Sequence, residues 1–246
     1  MTIYHKSSSN MAEINDESVH LIVTSPPYPM ISKWDNHYGI VDFEIQHHRL
    51  LATWIECYRV LINGGIACIN IGDATRSIDG EFQCYPNYAQ LIMMLKKLQF
   101  IPLIPILWKK ISNRPNAFLG SGFLPPNGYI SQDCEYIAIL RKGTLRKFPP
   151  KDPIRYESAF TKEERDLWFR QLWSIPGAKG AKKDSSFPEE IPYRLIRMYS
   201  VIGDTVLDPF AGTGTTGIVA ERIKRNYIGY TLPESNKKRI VRQQIQ

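Results

Sequence analysis

Two short runs combine residue types that do chemistry. In Ser25-Pro26-Pro27-Tyr28, a hydroxyl, two residues without a backbone N–H and an aromatic ring occupy four consecutive positions, one residue (Thr24) after the apolar Ile22-Val23. Proline fixes its own φ, removes a donor and disfavours helical backbone in the residue before it, so the helix that normally follows a buried strand cannot begin here. The result is a rigid, donor-free tip presenting a hydroxyl and a ring, which is a poor choice for stability alone. The second run is Asp204–Arg222, DTVLDPFAGTGTTGIVAER. Its apolar part ends at Leu207, Asp208 follows, Gly212 and Gly214 permit a tight turn, and a helix is predicted to open near Thr215. Open α/β sheets bind ligands just outside the carboxyl ends of their strands. A helix N-terminus there offers free N–H groups and a positive dipole end, and glycines let backbone approach a ligand closely. No Gly-Lys-Ser/Thr follows the glycines, so a nucleoside-triphosphate loop is not present.

The elements that must hold these runs alternate short apolar stretches with helical periodicity, the pattern of a mostly parallel sheet covered on both faces. Strands are predicted at His20–Thr24, Ile66–Ile71, Cys134–Leu140, Thr205–Leu207 and Asn226–Tyr230. IACIN and YIAIL are nearly continuous apolar runs, as expected of strands buried on both sides. A helix is predicted over Phe43–Leu61, with Ile45, Leu51, Trp54, Tyr58 and Leu61 on one stripe and Asn63-Gly64-Gly65 ending it. A second is predicted over Tyr88–Leu98, with Leu91, Ile92, Leu95 and Leu98 inward, and a third over Glu189–Tyr199. FIPLIPILW reads as a strand that Pro102 and Pro105 break or confine to an edge. Lys110–Gln132, rich in Asn, Gly, Pro and Ser, and Arg141–Lys183, basic and irregular, read as neither sheet nor helix scaffold. Trp168 and Trp173 in the latter are expected to pack it.

The 246 residues suffice for one large α/β domain or a domain with an insertion. A balance of 31 Lys+Arg against 24 Asp+Glu, or +7, favours a polyanionic partner. Cys57, Cys68, Cys84 and Cys134 form no CxxC pair and have no His at zinc-ligand spacing, so a reducing compartment, no disulfides and no metal are expected. The His47-His48 pair is read as the exposed side of a helix. No apolar stretch is long enough to span a bilayer and the N-terminus has no secretory signal, which together predict a cytoplasmic protein.

Taken together and in this order, SPPY before DPFAGTGT, the two runs resemble the β class of amino-group DNA methyltransferases, in which the catalytic motif precedes the cofactor motif. EYIAILRKG (Glu135–Gly143) resembles the strand before that family's target-recognition segment, and FPEEIPYRLIRMYS (Phe187–Ser200) its helix-opening motif over the methionine end of the cofactor. The resemblance covers nearly the whole chain. It implies a Rossmann-like methyltransferase fold with circularly permuted motif order, S-adenosylmethionine as cofactor, and double-stranded DNA as substrate. It divides the chain into a catalytic half at 1–140, an inserted target-recognition segment at 141–183 and a cofactor-binding half at 184–246. By the same resemblance Ser25, Pro26, Pro27 and Tyr28 are catalytic: the Ser25 hydroxyl and the Pro26 carbonyl accept from an exocyclic amine, and Tyr28 stacks on a base turned out of the duplex. Asp208, Pro209, Phe210, Gly212, Gly214 and Thr215, with Pro188, Glu190 and Thr231, surround the cofactor. Thr231 stands where the family usually has an acidic ribose contact, Glu234 lies three residues on, and the Asp often found after the first strand is missing from YHKSSSN. Arg141, Lys142, Arg146 and Lys147 are the candidate DNA contacts.

A serine at the first motif position is commoner among cytosine-N4 than adenine-N6 enzymes, so the resemblance implies N4 methylation of cytosine, with adenine N6 as the alternative. The absence of a Pro-Cys dipeptide argues against carbon-5 methylation. A monomer or homodimer, working in a prokaryotic nucleoid beside a cognate restriction endonuclease, completes the expectation. Two rivals remain: a methyltransferase acting on structured RNA or protein, against which no RNA-binding module is recognisable, and an inactive DNA-binding relative, suggested by Thr231.

Overall fold

Leu21, Ile22 and Val23 are all fully buried, yet Ile22 packs into one core and its two neighbours into another. Successive side chains of a strand point to opposite faces, so this strand is covered on both sides. The computed structural model describes residues 1–32, 35, 42–111, 119–120, 128–130, 132–177 and 187–232. In chain order these form β1 (Thr2–Tyr4), β2 (Val19–Thr24), α1 (Phe43–His48), α2 (Leu51–Val60), β3 (Leu61–Ile71), β4 (Ala74–Ile78) and β5 (Glu81–Tyr85). Next come α3 (Asn87–Lys97), β6 (Phe100–Pro102), β7 (Ile106–Ile111), β8 (Leu119–Gly120), β9 (Gly128–Tyr129) and β10 (Cys134–Lys142). The remainder are α4 (Pro153–Glu157), α5 (Lys162–Trp168), β11 (Leu172–Pro176), α6 (Glu190–Tyr199), β12 (Thr205–Asp208), α7 (Thr215–Arg222) and β13 (Asn226–Tyr230).

One sheet dominates, in the order β1-β13-β12-β2-β3-β10-β7-β11, with β6 also pairing β10. Every strand in it runs the same way except β10, which is antiparallel to β3, β6 and β7. One face packs against α2 and α3 through Trp54, Leu91 and Leu95, and the other against α5, α6 and α7 through Trp168, Ile191, Leu195 and Val219. The mostly parallel α/β architecture with helices on both faces is therefore as the sequence implies.

Local readings differ in four places. The single helix expected over Phe43–Leu61 is two, α1 and α2, and the break resets the helical phase. Ile45 consequently points to solvent at 49% exposure, while His47, expected outside, is 1% exposed and only His48 lies on the surface. Asn63-Gly64-Gly65 does not end a helix but lies inside β3, whose register against β2 shifts between Val19 and Leu21. Gly64 has φ +85, and a Cβ there would meet the Arg146 backbone nitrogen at 2.5 Å, so both conformation and crowding demand glycine. Finally, the basic stretch 141–183 is less irregular than its composition suggests. Arg141 and Lys142 complete β10, and β11 joins the sheet beside β7 with Trp173 buried on it. Residues 178–183, including Lys179, Lys182 and Lys183, lie outside the described residues, as does most of 112–127. The FIPLIPILW run breaks into β6 and β7 around its prolines. Cys57 and Cys68 are buried, Cys134 is half-buried and Cys84 exposed.

Candidate active site

β2 and β12 are neighbours at the middle of the sheet, in register at Leu21–Val206 and Ile22–Leu207. From β2 the chain goes on to β3 on one side, and from β12 to β13 on the other. Such a reversal opens a crevice at the carboxyl ends, where ligands of open α/β sheets bind. Both chemically suggestive runs leave their strands there. Thr24 Oγ1 donates a 2.6 Å hydrogen bond to Asp208 Oδ1, joining residues 184 apart in sequence.

Asp208 organises the second run. Its Oδ1 also accepts from the Phe210 backbone N–H at 3.1 Å, and its Oδ2 from Thr216 Oγ1 at 2.8 Å. The carboxyl is 3% exposed. Burial pushes its pKa up to about 6, against the pull of these three hydrogen bonds. Pro209 is buried, and Phe210 packs edge-on against Trp54 with centroids 5.7 Å apart. The Ala211 N–H reaches the Tyr230 carbonyl at 2.9 Å. Gly212 and Gly214 have φ of +51 and +82, and a Cβ on Gly214 would find nothing within 4 Å. No neighbouring protein atom forbids a side chain at Gly214; the left-handed backbone does, and open space lies beside it. Gly214 is the N-cap of α7 and offers no side-chain cap, so the first N–H groups, near the buried Thr215 and Thr216, stay available to a ligand.

The first run is held from below. Pro26 and Pro27 are buried and Ser25 and Tyr28 half-buried. Asn87, fully buried at the start of α3, donates from Nδ2 to the carbonyls of Pro29 at 2.9 Å and Gly72 at 3.0 Å. His47 Nε2 lies 2.9 Å from Asn87 Oδ1 and, facing an acceptor, carries the proton. Burial lowers the His47 pKa to about 4, which the bond to Asn87 only partly offsets. The Met30 N–H is taken by Gln46 Oε1 at 2.9 Å. The chain after Tyr28 is thereby fixed to α1, α3 and the end of β3.

Tyr28, expected to stand exposed at a strand tip, has its hydroxyl tied into a polar cluster. Its oxygen is 3.0 Å from Ser25 Oγ, 2.6 Å from Asn70 Nδ2 and 3.0 Å from Glu135 Oε2. Asn70 Nδ2 also donates to Glu135 Oε2 at 2.7 Å, and Lys110 Nζ pairs with Glu135 Oε1. Burial, and then the Glu135 carboxylate, raise the Tyr28 phenol well above its usual range. Gly72 makes room: a Cβ there would come within 3.1 Å of Glu135 Cγ and 3.3 Å of Tyr28 Cε2. Asn70, Glu135 and Lys110 were not singled out by sequence reasoning. The available signal was a polar residue inside IACIN and an acid at the head of YIAIL.

Other candidates lie elsewhere. Glu190 is taken up by Arg194 at 2.8 Å, on the helix α6 that begins just after the half-buried Pro188. The Thr231 N–H donates to the Tyr4 carbonyl at 3.0 Å, beyond the end of β13, and Glu234 is outside the described residues. The four expected DNA contacts are not brought to Ser25. Arg141 pairs with Ile66, at the end of the sheet opposite Asn70. Lys142, 9% exposed, donates to the Tyr58 and Leu61 carbonyls at 2.8 and 2.7 Å and pairs with Glu17 at 3.1 Å. Arg146 makes two bonds to Asp204, at 2.5 and 2.9 Å, just before β12 begins. Only Lys147 is exposed among them. A lysine and an arginine committed to buried acceptors hold the fold, whatever their charge suggests in one dimension.

Among the described residues no group of His, Cys, Asp and Glu could hold a metal ion, and no helix is long and apolar enough to cross a membrane. The family described as DNA methylase matches residues 19–242. A type II methyltransferase of Methanocaldococcus jannaschii, M.MjaI, is 53% identical over 96% of this chain and 90% of its own. M.MthZI of Methanothermobacter thermautotrophicus is 42% identical over 96% of this chain and 74% of its own. A Thermus thermophilus protein, assigned as a DNA modification methylase and solved with S-adenosyl-L-methionine, superposes with TM-score 0.79 at 33% identity, covering 99% of this chain and 94% of that one. The cytosine-N4-specific PvuII methyltransferase shares the fold at TM-score 0.68 and 19% identity, covering 98% of this chain and 91% of that one.

Proposed function

The chain belongs to the DNA methylase family of N6- and N4-amino methyltransferases, and from that premise we propose that it methylates the N4 amine of cytosine in double-stranded DNA, using S-adenosylmethionine, as the modification enzyme of a type II restriction system. One observation carries the reading: the Thr24–Asp208 bond sets the Ser25–Tyr28 tip beside the Asp208–Thr215 turn at the switch point of the sheet. When bound, the cofactor supplies an electrophilic methyl group on a sulfonium. The residues present fit it. The glycine turn leaves open space at Gly214, the start of α7 has no side-chain cap and so keeps first-turn N–H groups for a carboxylate, and Asp208 lies buried at the foot of that turn, a carboxyl beside the place of a cationic group.

The target amine is a weak nucleophile because its lone pair is delocalised into the ring. Ser25 Oγ and the Pro26 carbonyl, accepting from its two N–H groups, favour the geometry in which that lone pair is free to attack. The buried prolines hold both acceptors still and bring no competing donor. Tyr28 supplies a ring beside them for a base turned out of the helix, a contact worth about 1–3 kcal/mol. Most of the acceleration is positioning. The choice of cytosine rests on the hydroxyl at Ser25. The formal charge of +7 suits a DNA partner.

The test is transfer of labelled methyl from S-adenosylmethionine to unmethylated genomic DNA, followed by nucleoside analysis. Label in N4-methylcytosine is expected, together with loss of transfer in Ser25→Ala at unchanged cofactor affinity. Label in N6-methyladenine would keep the mechanism and overturn the base. Cofactor binding without transfer to DNA would overturn the substrate, pointing to RNA, protein or an inactive relative.

A further inference from the structure

On the reading that Ser25 accepts from the target amine, we infer that Glu135 is a positioning residue that sets the direction of the Asn70–Tyr28–Ser25 hydrogen bonds and takes the proton the amine gives up. The argument is one of donors and acceptors. An ionised carboxylate can only accept. Glu135 Oε2 is reached by two groups, Asn70 Nδ2 at 2.7 Å and the Tyr28 hydroxyl at 3.0 Å, and both must therefore donate. The orientation of the Asn70 amide follows, because turning it over would set its oxygen against the carboxylate; its Oδ1 is left buried without a partner. Tyr28 has a single proton, and it is spent on Glu135. Toward Asn70 Nδ2 at 2.6 Å and Ser25 Oγ at 3.0 Å the phenol oxygen can only accept. Ser25 must then donate to Tyr28, and this leaves the Ser25 oxygen with lone pairs alone to offer on its open side. A serine hydroxyl is free to turn and would otherwise present its proton to the amine as readily as its lone pairs. Lys110 pairs with the second carboxylate oxygen, as cation with anion, and leaves the first to Asn70 and Tyr28.

The same chain carries charge away. During transfer the nitrogen–carbon bond forms as the carbon–sulfur bond breaks, and the nitrogen is left positive with one proton to lose. That proton passes to Ser25 Oγ as the Ser25 proton passes to the Tyr28 oxygen and the Tyr28 proton to Glu135 Oε2. One proton leaves the base and one carboxylate is neutralised, so the step balances with no further reagent. The raised phenol pKa keeps Tyr28 protonated at rest, as the relay needs.

The test is single-turnover methyl transfer at saturating cofactor and DNA, with separate measurement of cofactor affinity, for wild type, Glu135→Gln, Glu135→Asp, Tyr28→Phe and the Tyr28→Phe/Glu135→Gln double variant. Glutamine can donate where glutamate only accepts, so Glu135→Gln should slow transfer on the order of 100-fold with cofactor affinity held within about twofold, while Glu135→Asp recovers part of the rate. In the Tyr28→Phe background the glutamine change should cost less than about threefold, because the route from Glu135 to Ser25 is already cut. Wild-type rate in Glu135→Gln, or an equal loss with and without the Tyr28 hydroxyl, overturns the inference while the methyltransferase reading stands. If Glu135→Gln does not bind cofactor, Glu135→Asp decides: a slower rate at intact affinity supports the inference and an unchanged rate refutes it. Failure of the wild type to methylate any DNA overturns the reading, and this inference with it.

Discussion

Asp208→Asn should make the protein more stable at neutral pH while weakening its hold on the cofactor. The buried carboxyl titrates near 6 in the folded chain against 3.8 for an ordinary aspartate. At about 1.4 kcal/mol per pH unit, that difference of roughly two units makes the ionised form about 3 kcal/mol worse in the fold than in the unfolded chain. The lowering hydrogen bonds from Thr24, Thr216 and Phe210 are already contained in that net value. Because the folded pKa is the higher one, the native state holds a proton between about pH 4 and 6 that the unfolded chain has lost. Stability from this group is therefore complete below about pH 4 and gone above about pH 6. Asparagine keeps the shape: its oxygen accepts from Thr24 and Phe210, and its amide donates to Thr216, whose hydroxyl can turn. The variant and wild type should thus be about equally stable at pH 4 and diverge by up to about 3 kcal/mol in favour of the variant at pH 7.5. For a chain of this size that is about 6–12 °C in Tm. Urea or thermal unfolding without cofactor from pH 4 to 8 measures the gap, and calorimetric titration measures the loss of affinity for the cationic cofactor. A variant less stable than wild type at pH 7.5 would refute the reasoning, since it would mean that the charged hydrogen bonds outweigh the cost of burial.

His47 acts with the opposite sign. Its folded pKa near 4 lies below the ordinary 6.5, so stability should fall by about 3 kcal/mol as pH drops through that window, and His47→Gln should flatten that part of the curve. Asn87→Ala removes two donors to buried carbonyls and strands His47 Nε2, so it should cost about 2–4 kcal/mol in urea unfolding and slow methyl transfer by loosening the Pro29 end of the tip. Arg146→Ala leaves Asp204 buried without its bidentate partner and should cost about 2–3 kcal/mol, less than a fully enclosed pair because Arg146 is partly exposed. Its DNA affinity should keep the same salt dependence, where a true phosphate contact would reduce the slope by about one.

What the one-dimensional pattern conveyed was local. Two runs, each strand followed by turn, announced themselves through prolines at 26 and 27 and glycines at 212 and 214, because those residue types act on their own backbone. The apolar runs around Ile22, Ile69 and Ile137 likewise reported strands buried on both faces. What the pattern could not convey was pairing between distant residues. Glu135 reads as an ordinary strand residue until β10 is laid antiparallel to β3, which sets Tyr136 opposite Ile71 and Glu135 beside Asn70 and Tyr28. Arg146 and Lys142 show the same limit for charge. Their charge suggested phosphate, yet partners 58 and 81 residues away, Asp204 and the Leu61 carbonyl, absorb it. His47 belongs with them, since only the two-helix break at Arg49–Leu50 turns it inward.

The bond between Thr24 and Asp208 also bears on how the chain reaches its fold. The two residues it joins lie 184 apart on neighbouring inner strands of the sheet, and β12 is made long after β2. Until Thr205–Asp208 leaves the ribosome, β2 has β3 on one side and an unpaired edge of buried apolar residues on the other. Such an edge is a template for association with other chains. Closing so long a loop also places this protein among slow folders. Synthesis at high level should therefore yield aggregates seeded by β2, and fragments ending before residue 205 should be insoluble even though they contain every residue of the catalytic tip.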